Sequence, residues 1–124
     1  MEWKIELKQD VGIISTIVSG IVTLDGIKIF YIEVLKLARQ HNVHKLISDY
    51  RKAILDVSTV DIYHLPQTFK ELGRTHGQKS AIVYSVNSPD TSNYSFFDNR
   101  CFNSSHNSRI FTDFDDAYQW LVSD

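Results

Sequence analysis

Strands that alternate with helices along one chain predict an α/β fold: a single domain with a mixed, mostly parallel five-stranded sheet whose first strand is antiparallel. Three observations carry this reading. The hydrophobic period switches repeatedly between two and about 3.6. A tight turn signal, "QDVG" (residues 9–12), joins the first two strands and makes them antiparallel, whereas later strands are separated by helices and need right-handed crossovers. The 124 residues, 43% hydrophobic and 23% charged, suit one domain over 1–124 that buries a core without metal or disulfide staples.

The elements follow in order. Residues 3–8 alternate Trp3, Ile5 and Leu7 with Lys4, Glu6 and Lys8, and residues 13–18 are rich in Ile, Val and Thr, so a hairpin opens the fold. Leu24, Ile27, Tyr31, Val34, Leu35 and Ala38 then recur at helical spacing, with Thr23 placed to cap and Asn42 to end the helix. "VHKLISDY" (43–50) reads as a buried strand. Ile62, Leu65, Phe69 and Leu72 mark a second helix that Gly73 stops, and Pro66 predicts a first turn over 59–64 with the main segment starting near Leu65. "KSAIVYS" is another buried strand, "NSPDT" breaks the chain, "SNYSFFDNRCFN" reads as helix and "SRIFT" as a short strand. The closing "DFDDAYQWLVSD" places Ala117, Trp120 and Leu121 on one helical face, with Asp115 and Asp116 in the first turn. The predicted order is ββαβαβαβα.

Composition excludes several classes. Thirteen basic against fifteen acidic side chains give a formal charge of −2, so no overall basic field draws a nucleic-acid backbone. The N-terminus has no signal-peptide pattern and no apolar run spans a bilayer, which leads to an expectation of a cytoplasmic protein without an integral membrane segment. Cys101 is the one cysteine, so an internal disulfide is impossible and a small buried thiol is expected. His41 and His44 straddle a helix-to-strand boundary with no ligand nearby at metal spacing, and His64, His76 and His106 are scattered. No serine lies in a Gly-x-Ser-x-Gly elbow, and the glycines of "GIKIFYIEV" and "GRTHGQKS" form no nucleotide fingerprint. Phe96, Phe97 and Phe102 read as core. The expectation is no metal, no cofactor and no enzymatic activity.

The tryptophan-led first strand, "SGIVTLDG" entering the first helix, "KLISDYR" with its Asp-x-Arg end, "DIYHLP", "KSAIVY" and the closing "RIFTDFDDAYQWL" together resemble the SpoIIAA-like group of STAS-type domains. The resemblance covers nearly the whole chain and implies the anti-sigma-factor-antagonist fold, related in architecture to lipid-transfer CRAL-TRIO domains. It implies a regulatory or protein-binding module, with a small-molecule or lipid carrier as the alternative. STAS antagonists carry an Asp-Ser-Ser-Gly-like motif at the start of the second helix, whose serine a partner kinase phosphorylates. Here the stretch reads Asp56-Val57-Ser58-Thr59, without the glycine.

Three candidate sites emerge from the residues themselves. Asp49 and Arg51 are expected in a loop leaving the third strand and, with Asn87 and Ser88 after the next strand, to line a shallow polar crevice beyond the strand carboxyl ends. There Arg51 either receives an acidic ligand or bridges carboxylates to tie the loop down. Ser58 begins "STVD", a capping box, at a helix start whose dipole also suits a phosphate. Ile29 and Ile32 lie on the far side of the first helix from its core stripe. With Phe30 and Leu37 on the flank, they form a candidate association surface for a homodimer, a protein partner or a lipid surface.

Overall fold

The computed structural model describes residues 1–103 and 107–123, with 102 and 103 as backbone alone; His106 and the Phe102 side chain lie outside them. Nine elements follow the predicted order: β1 (Glu2–Lys8), β2 (Ile13–Thr23), α1 (Leu24–His41), β3 (Lys45–Asp56), α2 (Thr59–Glu71), β4 (Lys79–Val83), α3 (Thr91–Asn103), β5 (Ser108–Phe111) and α4 (Phe114–Val122). The strands form one five-stranded sheet in the order β1-β2-β3-β4-β5, antiparallel between β1 and β2 and parallel elsewhere.

The helices divide unequally between the two faces. The larger core joins Ile14, Val18 and Val22 of β2 and Leu46 of β3 to residues of α1, α2 and α3, among them Leu35, Ile62 and Phe97. The smaller one, under α4, joins Ile13, Ile47, Ala81 and Val83 to Ala117 and Leu121. Buried Cys101 belongs to the larger core, and desolvation pushes its thiol up to about 12, so it remains protonated.

Local chemistry sets the helix ends. The Thr23 hydroxyl accepts from the Gly26 backbone N–H at 3.1 Å, and Asn42 closes α1 in the left-handed region at φ 54°. The Asp113 carboxylate accepts from the Asp116 N–H at 2.9 Å to start α4, whose first turn holds Asp115 and Asp116.

Three expectations need correction. β2 runs on to Thr23 rather than ending near Val18: its ladder with β3 continues past a bulge whose extra residue lies on β3 between Asp49 and Lys52, and Gly20 takes φ +83°. β3 continues to Asp56, so Asp49 and Arg51 are mid-strand rather than in a loop; β2 supplies the ladder partner that carries β3 past the end of β4. α2 does not restart at Leu65: one helix spans Thr59–Glu71 with Pro66 inside. An internal proline costs about 3 kcal/mol, but Ile62, Leu65, Pro66 and Phe69 are all buried along one face. Burial at roughly 1.5–3 kcal/mol per large apolar side chain outweighs the missing hydrogen bond.

Candidate functional site

Asp49 and Arg51 share one face of β3, because residues two apart on a strand point the same way. Arg51 donates from Nε to Asp49 Oδ1 at 3.0 Å and from Nη2 to Oδ2 at 2.7 Å, and its backbone N–H also reaches Oδ1 at 3.0 Å. This is a two-pronged clamp within one strand. Partial burial works to raise the Asp49 carboxyl, but the Arg51 hydrogen bonds and charge more than offset it and hold it below the usual value. The pair looks toward α4, as does Ile47, and the Arg51 guanidinium lies 5.9 Å from the Phe114 ring centroid.

Asn87 and Ser88 belong to the turn after β4, and their hydrogen bonds run within it. The Asn87 N–H donates to Ser85 Oγ at 3.2 Å, and Ser88 Oγ accepts from the Asp90 N–H at 3.2 Å and donates to Asp90 Oδ2 at 3.3 Å. Asp90 Oδ2 also accepts the Leu55 backbone N–H at 2.7 Å. Beyond Asp49, β3 is no longer paired with β4, and the Asp90 carboxylate supplies an acceptor where that ladder has stopped. The structure thus brings Asp49 to Arg51 and ties Ser88 to Asp90, without a hydrogen bond between the two pairs.

Ser58 is exposed, with φ −65° and ψ 155°, and its hydroxyl accepts the Asp61 N–H at 3.1 Å as the N-cap of α2. Large exposed apolar side chains surround this carboxyl edge of the sheet in the chain topology. Ile21 and Ile54 are register partners near the ends of β2 and β3, on the sheet face away from α2 because Val22, Ala53 and Leu55 beside them pack into the larger core; Val60 and Tyr63 lie in the first turns of α2, and Val86 follows β4.

On α1, Ile29 and Ile32 are exposed at 61% and 48%, whereas Phe30 is 2% exposed and Leu37 is half-buried against the core. Phe30 is therefore removed from the association surface. At 100° per residue it falls on the stripe of Ile27, Val34 and Ala38, where Trp3 packs on it edge-to-face at 5.6 Å.

Sequence reasoning missed Arg74. It is 7% exposed and donates from Nη1 to Tyr31 Oη at 2.8 Å and to Ser80 Oγ, and from Nη2 to the carbonyls of Asn107 at 2.7 Å and Gln78 at 3.2 Å. Burial raises the Tyr31 hydroxyl above its ordinary value despite the nearby cation. Arg74 pins the starts of β4 and β5 to α1, a framework role with no signal in the local sequence, because Tyr31 and Asn107 are remote along the chain. Two small pockets of ≈50 and ≈40 Å³ flank this region on the helix side; the first is lined in part by Ile62, Phe69 and Tyr94, and among the described residues the Tyr94 hydroxyl has no hydrogen-bond partner.

The order, the mixed sheet and the helices distributed over both faces define the anti-sigma-factor-antagonist fold. The chain superposes on the structure of the anti-sigma factor antagonist SpoIIAA in its unphosphorylated form with a TM-score of 0.57, over 98% of this chain and 97% of that one, at 8% sequence identity. No protein-family model matches the chain, and no curated protein matches it in sequence. Among the described residues no helix is long and apolar enough to cross a membrane.

Proposed function

We propose that this protein is a non-enzymatic regulatory module that binds a protein partner through the carboxyl edge of its sheet, around the start of α2. The observation that carries the reading is the set of exposed apolar side chains around this edge: Val60 and Tyr63 on α2, Val86 after β4, and Ile21 and Ile54 on the other face of the β2–β3 extension. Scattered exposed aliphatics are ordinary, but several at the ends of adjacent elements, with the polar turn of Asn87 and Ser88 following β4, supply the apolar and polar groups of a binding surface. The likeness to an anti-sigma factor antagonist supports the same class of function. In this reading the Asp49–Arg51 clamp stiffens β3 behind the surface and Ser58 caps α2.

The carrier alternative finds no support in the interior. The ≈50 and ≈40 Å³ pockets are far below the roughly 300–1,000 Å³ of small-molecule sites, and the ≈630 Å³ depression beside Trp3, Lys4, Ile17 and Lys52 is an open surface groove with charged walls rather than an enclosed apolar cavity. Ile54→Glu/Val60→Glu tests the binding surface directly. Affinity purification from the native cell, with a photo-crosslinking residue at position 86 in both proteins, should identify a protein that the otherwise unchanged chain holds and the folded double variant loses. Equal crosslinking by both proteins, or bound lipid in place of protein, overturns the reading.

A further inference from the structure

β1 is the edge of the sheet, and among the described residues its outer side has no strand partner. Edge strands are usually blunted by a bulge, a proline, extreme shortness or charged side chains, lysine above all. β1 has only the last of these, and its charges are of both signs; its seven residues pair with β2 in unbroken register. On one face Trp3, Ile5 and Leu7 are only half-buried against the core; on the other stand Glu2, Lys4, Glu6 and Lys8.

Those four charges are antisymmetric about Ile5. We propose that β1 pairs antiparallel with β1 of a second copy, centred on Ile5, joining the two sheets into one. Glu2 then opposes Lys8 and Lys4 opposes Glu6, each pair occurring twice, while Trp3 opposes Leu7 and Ile5 meets its own counterpart. Antiparallel pairs related by a twofold axis slip in steps of two residues, and both neighbouring registers are penalised. Centring on Lys4 sets Lys4 against Lys4 and Glu2 against Glu6; centring on Glu6 sets Glu6 against Glu6 and Lys4 against Lys8. Opposite charges across an antiparallel pair stabilise it and like charges destabilise it, so one closed register is selected rather than open-ended association.

The helix above the edge fits the same partner. The Trp3 indole N–H donates to Glu33 at 3.0 Å, which places the Glu33 flank of α1 over β1. Exposed Ile29 stands one turn before Glu33 on that side of α1, whereas Ile32 is turned a further ~60° away from β1. A twofold axis perpendicular to the joined sheet keeps both α1 helices on one side of it, so the Glu33 and Ile29 side of α1 borders the joint from both copies. The carboxyl edge around Ser58 stays open, and the dimer stands or falls independently of the protein-partner reading.

The experiment is sedimentation velocity with native mass spectrometry on the chain without added N-terminal residues. Three proteins are compared: wild type, Lys4→Glu/Lys8→Glu with an all-acidic strand face, and Glu2→Lys/Glu6→Lys with an all-basic one. All four positions face away from the core, and circular dichroism checks that the variants fold. Wild type should dimerise within about 1 µM to 1 mM, and each variant alone should dimerise roughly tenfold or more weakly. An equimolar mixture should recover a mixed dimer of wild-type strength that weakens with salt. A wild type that stays monomeric throughout, variants that dimerise like the wild type, or a mixture that recovers nothing overturns the proposal.

Discussion

Asp90 accepts the backbone N–H of Leu55 at 2.7 Å, where β3 has run past the end of β4. One side-chain oxygen thereby replaces a rung of the sheet ladder and holds the turn carrying Asn87 and Ser88 against the end of β3. Asp90→Ala should cost about 1–3 kcal/mol, the penalty for a shielded N–H that loses its acceptor. Amide hydrogen exchange at Leu55 should accelerate more than at Leu46, which lies where β3 is paired on both sides. Unchanged exchange at Leu55 refutes this role.

Arg74 should prove the most sensitive charged residue in the chain. Arg74→Met strands the Tyr31 and Ser80 hydroxyls and two backbone carbonyls, and a loss of at least about 2 kcal/mol follows from their unpaired burial. Arg74→Lys should recover only part, because one ammonium cannot reproduce the planar fork that reaches both sets of acceptors. Chemical denaturation of the three proteins measures the order.

The Ser58 hydroxyl makes one cap bond, to the Asp61 N–H. Ser58→Ala should therefore lose about 1 kcal/mol, while Ser58→Asp, an equally good cap, should keep both stability and partner binding. An aspartate variant that stays folded but selectively releases the partner would show that the position is a phosphorylation switch.

Arg51→Met should lower thermal stability at neutral pH by no more than about 1 kcal/mol, since the Arg51 side chain is half exposed and the pair is screened. The pH dependence follows from the depressed Asp49 carboxyl. Its folded value lies below the unfolded one near 3.9, so the stabilisation is complete above the unfolded value and is lost as pH falls through the folded one. The difference between wild type and Arg51→Met should be constant from neutral pH down to about 5 and vanish in stronger acid. A difference that grows on acidification contradicts this assignment.

Much of the fold is determined by the sequence itself, because its signals are local. Alternation in β1, the i, i+3, i+4 stripe of α1 with Thr23 before it and Asn42 after it, and the acidic start of α4 each act within a few residues. Ser58 belongs with them, since the cap and its acceptor lie three positions apart. Element lengths were decided elsewhere. The stretch 49–56 mixes four charged residues with Tyr50, Ala53, Ile54 and Leu55 and has no regular alternation of its own, yet β3 continues through it because the end of β2 supplies ladder partners from Ser19 to Thr23. Pro66 marks a break by local rules, but buried contacts on both sides of it keep α2 intact. Arg74 looks like an ordinary surface arginine until the chain brings Tyr31 and Asn107 to it. Local geometry and hydrogen bonding can be read from neighbours in sequence. Burial, and the pairing of groups tens of residues apart, exist only once the sheet has assembled.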